Sequence, residues 1–309
     1  MYKVFIDGAH GTTGLRINEY LAGRSDIEIL EIDPEKRKDT EARVNMIKAA
    51  DVSILCLPDQ ASREIAAAAP ADSVIIDTST AHRTDPDWTY GMPELTAGQR
   101  DKIRSSTRIA NPGCHASGFI LLVRPLIDAG LLDRDALLTC FCMTGYSGGG
   151  KKMIADYESD DRDPALDSPG QYALGQTHKH LPEMVAMTEL ENAPCFSPVV
   201  ADFYSGMVMT VSVHTSMLKN GAGIDDVKKT LHNRYDAEAL ITVYDEAPGS
   251  GKVYSNPMSG SNGMEIYVTG NEERILLIAS YDNLGKGASG AAVQNLNIVL
   301  GTEETAGLV

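Results

Sequence analysis

Residues 2–14 limit what this chain can fold into more than any other stretch. Tyr2-Lys-Val-Phe-Ile6 has the pattern of a buried strand, and Gly8-Ala9-His10-Gly11-Thr12-Thr13-Gly14 follows it at once. Glycines at that spacing turn the chain sharply out of a strand and into a helix, which is expected over residues 13–22. The alternation then continues. Strands are expected at 28–32, 52–57 and 74–77, with helices at 39–50 and 62–69 between them. The strands are short and almost wholly apolar, as in a parallel, doubly wound sheet covered on both faces.

A second landmark closes this region. Ser106–Ala110 reads as one more strand, and Asn111-Pro112-Gly113-Cys114-His115-Ala116-Ser117-Gly118 stops it with a turn. Apolar residues then recur at helical spacing, as Phe119, Leu122, Val123 and Leu126. Cys114 therefore falls at a helix start, where unpaired N–H groups and the positive dipole end favour a thiolate. The alternative is a small buried apolar residue, the commoner fate of cysteine.

Beyond this helix the pattern changes. Strands are expected at 137–144, 208–216, 241–244, 264–269 and 274–281, with few helices apart from 224–235. Val211, Val213 and Thr215 alternate with Thr210, Ser212 and His214, as in a sheet with one face buried. The expected fold class is α/β. A Rossmann-type domain over 1–113 precedes an α+β domain over 114–284 with a mostly antiparallel sheet. A last helix near 288–300, within a returning segment of about 285–309, packs back on the first domain.

The 309 residues carry 27 basic and 43 acidic side chains, a formal charge of −16. That field repels nucleic acid and anionic membrane, so an anionic substrate must be met by local cations. No apolar run reaches the ~20 residues of a membrane span, and no signal-peptide pattern precedes Tyr2, so a cytoplasmic location is expected. Five cysteines give no disulfide framework. Cys140 and Cys142 face the same side of a strand and read, with Cys56, as buried filler.

Three segments carry candidate chemistry. In the first turn, Gly8, Gly11, Thr12, Thr13 and Gly14 suit the pyrophosphate of a dinucleotide, although GxxGxxG departs from GxGxxG. Asp33 favours NAD, whereas Lys36, Arg37 and Lys38 suit the 2′-phosphate of NADP, and the local residues leave both open. Pro58 and Ser79 follow later strands and line the same sheet edge. In the second segment, Thr177-His178-Lys179-His180-Leu181-Pro182-Glu183 offers a thiol two histidines as acid/base partners, with Glu183 to orient one. Zinc held by Cys114, His178 and His180 is the rival chemistry. The third, Gly145-Tyr146-Ser147-Gly148-Gly149-Gly150-Lys151-Lys152, reads as an anion-binding nest or a plain exposed hairpin loop. Arg83, just past a sheet edge, adds a further cation.

Together these segments, in this order, resemble the N-acetyl-gamma-glutamyl-phosphate reductase family, in particular its short form. Tyr90-Gly91-Met92-Pro93-Glu94-Leu95 and Asp282-Asn283-Leu284-Gly285-Lys286-Gly287-Ala288-Ser289-Gly290-Ala291 belong to the same likeness, which spans nearly the whole chain. Three departures from the long form stand out: His115 where tyrosine is more usual, Lys179 for arginine, and Lys151 and Lys152 for arginine. Lysine keeps the charge but lacks the bidentate fork.

The resemblance implies NADPH-dependent reduction of an acyl phosphate to an aldehyde in arginine biosynthesis, by a homo-oligomer, dimer or tetramer, without a metal. Cys114 would attack the acyl carbonyl, and phosphate would leave toward Arg83, Ser147, Gly148, Lys151 and Lys152. The thioester would accept hydride. His180 or His178 would donate a proton as the thiohemiacetal collapses, and Asn283 would lie in the segment that closes over the nicotinamide. An aspartate-semialdehyde dehydrogenase is the near alternative. A cysteine or zinc hydrolase and a non-catalytic nucleotide sensor are the remote ones.

Overall fold

A computed structural model describes all residues 1–309, which divide into two compact units, residues 1–113 with 288–309 and residues 114–287. The first unit winds β1 (Tyr2–Asp7), α1 (Thr12–Leu21), β2 (Ile27–Leu30), α2 (Thr40–Ala49), β3 (Val52–Leu55), α3 (Asp59–Ala68) and β4 (Val74–Asp77) in alternation. β5 (Thr89–Tyr90), α4 (Gln99–Ser105) and β6 (Arg108–Ala110) complete its sheet, ordered β2-β1-β3-β4-β6-β5 with every pair parallel. Phe5, Leu55 and Ile75 pack with Ile47 and Ile65 of the covering helices. Val4, Ile6, Ile54 and Ile76, which point to the other face, are equally buried, so both faces are dry and these strands read as unbroken apolar runs.

The second unit begins with α5 (Cys114–Asp128), then β7 (Thr139–Gly145), α6 (Gly150–Glu158), β8 (Gly170–Gln171), α7 (Leu181–Thr188), β9 (Cys195–Ala201) and β10 (Met207–His214). α8 (Ile224–Tyr235), β11 (Ile241–Tyr244), β12 (Met264–Gly270) and β13 (Arg274–Tyr281) follow. Its seven-stranded sheet runs β11-β12-β13-β10-β7-β9-β8. Four of its six pairings are antiparallel, with β11–β12 and β7–β9 parallel. The unit holds more helix than the sequence pattern indicates, because α6 and α7 join α8. The run Gly145–Lys152 is accordingly no hairpin loop: a 3₁₀ turn at Tyr146–Gly149 leads directly into α6.

Helix α5 is buried along almost its whole length and packs against β10, β13, α7 and α8. It contains Pro125, which has no N–H to offer the carbonyl of Leu121 one turn earlier. The Tyr235 hydroxyl donates to that carbonyl at 2.7 Å, so a side chain from α8 replaces the missing backbone bond. The opposite sheet face shows Phe141 and Leu276 to solvent, on strands whose alternate residues Cys140, Cys142, Ile275 and Leu277 are buried.

A π-helical turn at Gly285–Ser289 returns the chain to the first unit, where α9 (Gly290–Leu300) packs against α1, α4 and β4. Its side chains hold the Tyr90–Leu95 segment. Gln294 donates to Glu94 at 2.8 Å, and Asn295 donates to the Gly91 carbonyl at 2.8 Å and to Asn111 Oδ1 at 3.1 Å. A Cβ on Gly91 would lie 2.5 Å from the Asn295 amide, so only glycine fits there. No helix is long and apolar enough to cross a membrane.

Candidate active site

In the first unit the chain leaves β1 toward β2 on one side and returns as β3 on the other, which opens a crevice at the carboxyl ends of the strands. A cavity of about 470 Å³ lies there, lined by Asp7, Gly8, Gly11, Glu31, Arg37 and Leu57 among others. Gly8 has φ +87°, and a Cβ on it would sit 2.3 Å from the Cys56 carbonyl; one on Gly14 would sit 2.5 Å from that of Gly8. Gly11 is the N-cap of α1, and a Cβ there would project 3.3 Å from the Gly8 carbonyl. A glycine turn, a helix N-terminus led by Thr12 and Thr13, and a cavity beside them fit a dinucleotide pyrophosphate. Asp33 accepts from the N–H of Glu35 at 3.0 Å, so this acid caps its own turn, while Arg37 reaches the cavity wall. Lys38 is exposed, and Pro58 caps α3.

Two residues expected at ligand positions are instead built into the scaffold of this unit. Ser79 donates to Asp77 at 2.7 Å, in a buried cluster where Asp77 also binds Ser62 at 2.6 Å and His82 at 2.7 Å. Arg83 is 7% exposed, and its guanidinium donates to the carbonyls of Asn111 and Thr78, each at 2.9 Å. Arg83 therefore braces the turn that precedes Cys114.

In the second unit Cys114 is the first residue of α5. Its carbonyl accepts from the Tyr281 hydroxyl at 2.6 Å, and that hydroxyl oxygen in turn accepts from the Gly118 N–H at 3.2 Å. A Cβ on Gly118 would lie 2.5 Å from that hydroxyl, so the glycine makes room for the tyrosine that pins the cysteine. Gly287 does the same on another side, where an added Cβ would meet Cys114 Cβ at 2.9 Å. Burial pushes the half-buried Cys56 and the buried Cys140 up to about 12.

The histidine segment is a bend rather than an extended strand. His180 is the N-cap of α7, and its N–H donates to His178 Nδ1 at 3.1 Å. The two rings lie 4.8 Å apart, and burial first, then Lys179, lowers the pKa of His178. Glu183 is buried in the first turn of α7. The segment is tied to β9 by Gln176, which donates to the Phe196 carbonyl at 2.8 Å and accepts from its N–H at 2.9 Å.

Donor atoms of Cys114, His115 and His180 all lie within 4.8 Å of one another. His115 is the residue that sequence reasoning passed over. Its Nδ1 is 3.2 Å from Cys114 Sγ, and its Nε2 is 2.9 Å from the hydroxyl of Tyr172, which was likewise missed. The only sequence signal was the place of His115 beside the thiol; Tyr172 has none. With both nitrogens of His115 engaged, a metal would have to displace one of those bonds.

The expected anion site is divided by its surroundings. Ser147 is buried and accepts from the Asn283 amide at 3.0 Å, whereas Gly148 in the same 3₁₀ turn and Lys151 and Lys152 in the first turn of α6 are exposed. Asn283 Oδ1 also accepts from the Gly206 N–H at 2.8 Å. Asn283, expected at the cofactor, is thus a brace within the second unit.

Comparison with known proteins agrees with this architecture. A semialdehyde dehydrogenase NAD binding domain matches residues 3–105, and a semialdehyde dehydrogenase dimerisation domain matches residues 114–283. N-acetyl-gamma-glutamyl-phosphate reductases of Rhizobium meliloti and Brucella suis are 42% and 43% identical to the chain. The matches cover 96% and 97% of this chain and 98% and 99% of theirs. Among solved structures, aspartate semialdehyde dehydrogenase from Francisella tularensis aligns with TM-score 0.74 at 14% identity, over 97% of this chain and 100% of that one. The Candida albicans aspartate semialdehyde dehydrogenase with NADP aligns with TM-score 0.68 at 13% identity, over 97% and 99%. At such identities these likenesses speak for the fold alone.

Proposed function

The chain belongs to the N-acetyl-gamma-glutamyl-phosphate reductase family, and from that premise we propose that it reduces N-acetyl-gamma-glutamyl phosphate to the semialdehyde and phosphate, with NADPH, in arginine biosynthesis. The observation that carries the reading is Cys114 itself. It is the first residue of a buried helix, fixed through its carbonyl and ringed by imidazoles. The thiolate sulfur bonds to the acyl carbon as the carbon–oxygen bond to phosphate breaks, leaving a thioester on Cys114. NADPH, when bound, supplies the hydride. Collapse of the resulting thiohemiacetal breaks the carbon–sulfur bond and returns the thiolate with the aldehyde. His180 is the acid/base: it protonates the oxyanion left by hydride transfer and takes that proton back as the thiohemiacetal collapses. Its ring nitrogen lies within 4.8 Å of Cys114 Sγ, whereas Nδ1 of His178 is occupied by the His180 N–H. The N-terminal N–H groups of α5 oppose charge developing on the carbonyl oxygen. Lys151 and Lys152 are the exposed cations proposed for the departing phosphate, in place of Arg83, which is bound to two backbone carbonyls.

The test is an assay in reverse, with N-acetyl-glutamate semialdehyde, phosphate and NADP. Phosphate-dependent NADP reduction is expected, and a clear preference for aspartate semialdehyde would overturn the substrate. In the same assay Arg37→Ala should raise KM for NADP about tenfold and leave NAD kinetics unchanged, the loss of one charge-assisted phosphate contact. Equal effects on both cofactors would remove Arg37 from 2′-phosphate recognition.

The face of the second sheet that shows Phe141 and Leu276 to solvent is proposed as the contact with a second copy, consistent with the dimerisation domain matched there. A monomer in solution at micromolar concentration would overturn this. A cytoplasmic location is part of the same proposal.

A further inference from the structure

The line Cys114 Sγ···His115 Nδ1, 3.2 Å, and His115 Nε2···Tyr172 Oη, 2.9 Å, runs through three side chains of the second unit. We propose that His115 is a second catalytic imidazole, which donates its Nδ1–H to the Cys114 thiolate in the tautomer fixed by the Tyr172 hydroxyl. The inference rests on Cys114 being the nucleophile and adds a division of labour: His115 holds the sulfur's charge while His180 moves the proton.

The tautomer follows from what each partner can offer. Burial, then His178 and Lys179, lowers His115 to about 3, so its ring is neutral and carries one proton. Burial, then Cys114 and Cys142, raises the Tyr172 phenol, so Tyr172 keeps its O–H. If that O–H donates to Nε2, the ring proton sits on Nδ1 and points at sulfur. The other tautomer would set a nitrogen lone pair against a thiolate, which repels it. A neutral donor is also the right kind of group here. It stabilises the anion without neutralising it, and it offers no exchangeable charge to the thioester. The bond is strongest when sulfur is anionic, before attack and as the carbon–sulfur bond breaks, and weakest in the thioester between.

Other groups surround this pair. Cys142 of β7 and Tyr281 of β13 interact electrostatically with Cys114, His180 offers a ring nitrogen within 4.8 Å of its sulfur, and His178 and Lys179 act on His115. The loop that brings Tyr172 is held by its own N–H, which donates to the Pro198 carbonyl at 3.1 Å, and by the Gln176 bridge to Phe196. Ala173 between them has φ +52°, a conformation alanine seldom takes, which the two anchors impose.

The experiment follows alkylation of the Cys114 peptide by iodoacetamide against pH, read by mass spectrometry because Cys114 is half-buried and Cys195 is exposed. It uses the full chain without substrate, so it does not depend on reductase activity. His115→Phe should move the midpoint up by about one pH unit, a tenfold loss of thiolate, and lower kcat with little change in KM. His115→Gln, which keeps an N–H donor, should recover most of the shift. Tyr172→Phe leaves the ring and its packing but releases the tautomer, and should give a shift of the same sign. Wild-type midpoints in both His115→Phe and Tyr172→Phe would overturn the proposal while the reductase reading stood. A shift in His115→Phe that His115→Gln fails to recover would also overturn it, as loss of packing alone. If the chain lacks reductase activity but the midpoints move as stated, the hydrogen bond is real and the function is wrong.

Discussion

Cys114→Ser lowers turnover by at least about 10³-fold and leaves NADP affinity within about twofold. Oxygen replaces sulfur with little change in size, so the first turn of α5, the Tyr281 contact and the Gly287 approach all persist. What is lost is a thiolate available at neutral pH. A serine hydroxyl ionises far higher, and its ester would be a poorer hydride acceptor than a thioester. NADP affinity is spared because the glycine turn and the cavity beside it belong to the other unit. Steady-state kinetics and calorimetric titration with NADP check the two halves. Turnover like wild type would end the thioester mechanism and favour a nucleotide sensor. Phosphate release from an acyl phosphate without nicotinamide oxidation would point to a hydrolase.

Asp77→Ala is expected to destabilise the first unit by about 3–5 kcal/mol, because it strips a buried cluster of its common acceptor. Asp77 is fully buried and takes bonds from Ser62, His82 and two from Ser79, and His82 is stacked on Trp88 with ring centroids 3.9 Å apart. Truncation leaves those donors buried with no partner. Burial alone pushes this carboxyl up from its ordinary 3.8, but the bonds from His82, Ser62 and Ser79 outweigh it, and the net shift is downward. The unfolded chain then takes up its proton at higher pH than the folded one. Stability from Asp77 is whole above 3.8 and is lost as pH falls through the lower folded value. His115, lowered from 6.5 to about 3, weakens the fold in the same direction but from 6.5 downward, and Asp77→Ala leaves that part intact. Urea unfolding at pH 7 and pH 3 measures both. The variant should be much weaker than wild type at pH 7, and the gap should narrow at pH 3. An equal gap at both would show that the carboxylate charge is not what the cluster needs.

Much of the fold was legible, for identifiable reasons. β4, β11, β13 and α8 fall on the residues the hydrophobic pattern marks, because each is a clean run with one buried face or two. β9 escaped because Pro198 sits inside it, and proline argues against a strand. Only the two-residue strand β8 lies beyond β9. α6 and α7 escaped for a different reason. Their starts are Gly148-Gly149-Gly150 and His180-Leu181-Pro182, which read as loop and bend, and each helix is too short for periodicity to correct that. Within the candidate site, Cys114 and the glycine turn announce themselves because each sits at a junction of elements. His115 and Tyr172 do not, since a contact across 57 residues depends on how a loop closes. Arg83 misled because a cation at a sheet edge is expected to face a ligand, and this one faces two carbonyls.

The first unit is discontinuous, with α9 buried among α1, α4 and β4. Residues 1–113 leave the ribosome first, yet they cannot finish folding until 288–309 arrive, after the whole of the second unit has been made. Until then the Tyr90–Leu95 segment lacks Gln294 and Asn295, and Asn111, three residues before the nucleophile, lacks its partner as well. Order of synthesis therefore becomes a checkpoint: a chain broken off before residue 290 would carry the cysteine helix complete but leave the glycine turn on an open, unfinished layer. Such a fragment would be a substrate for proteolysis rather than a half-active enzyme.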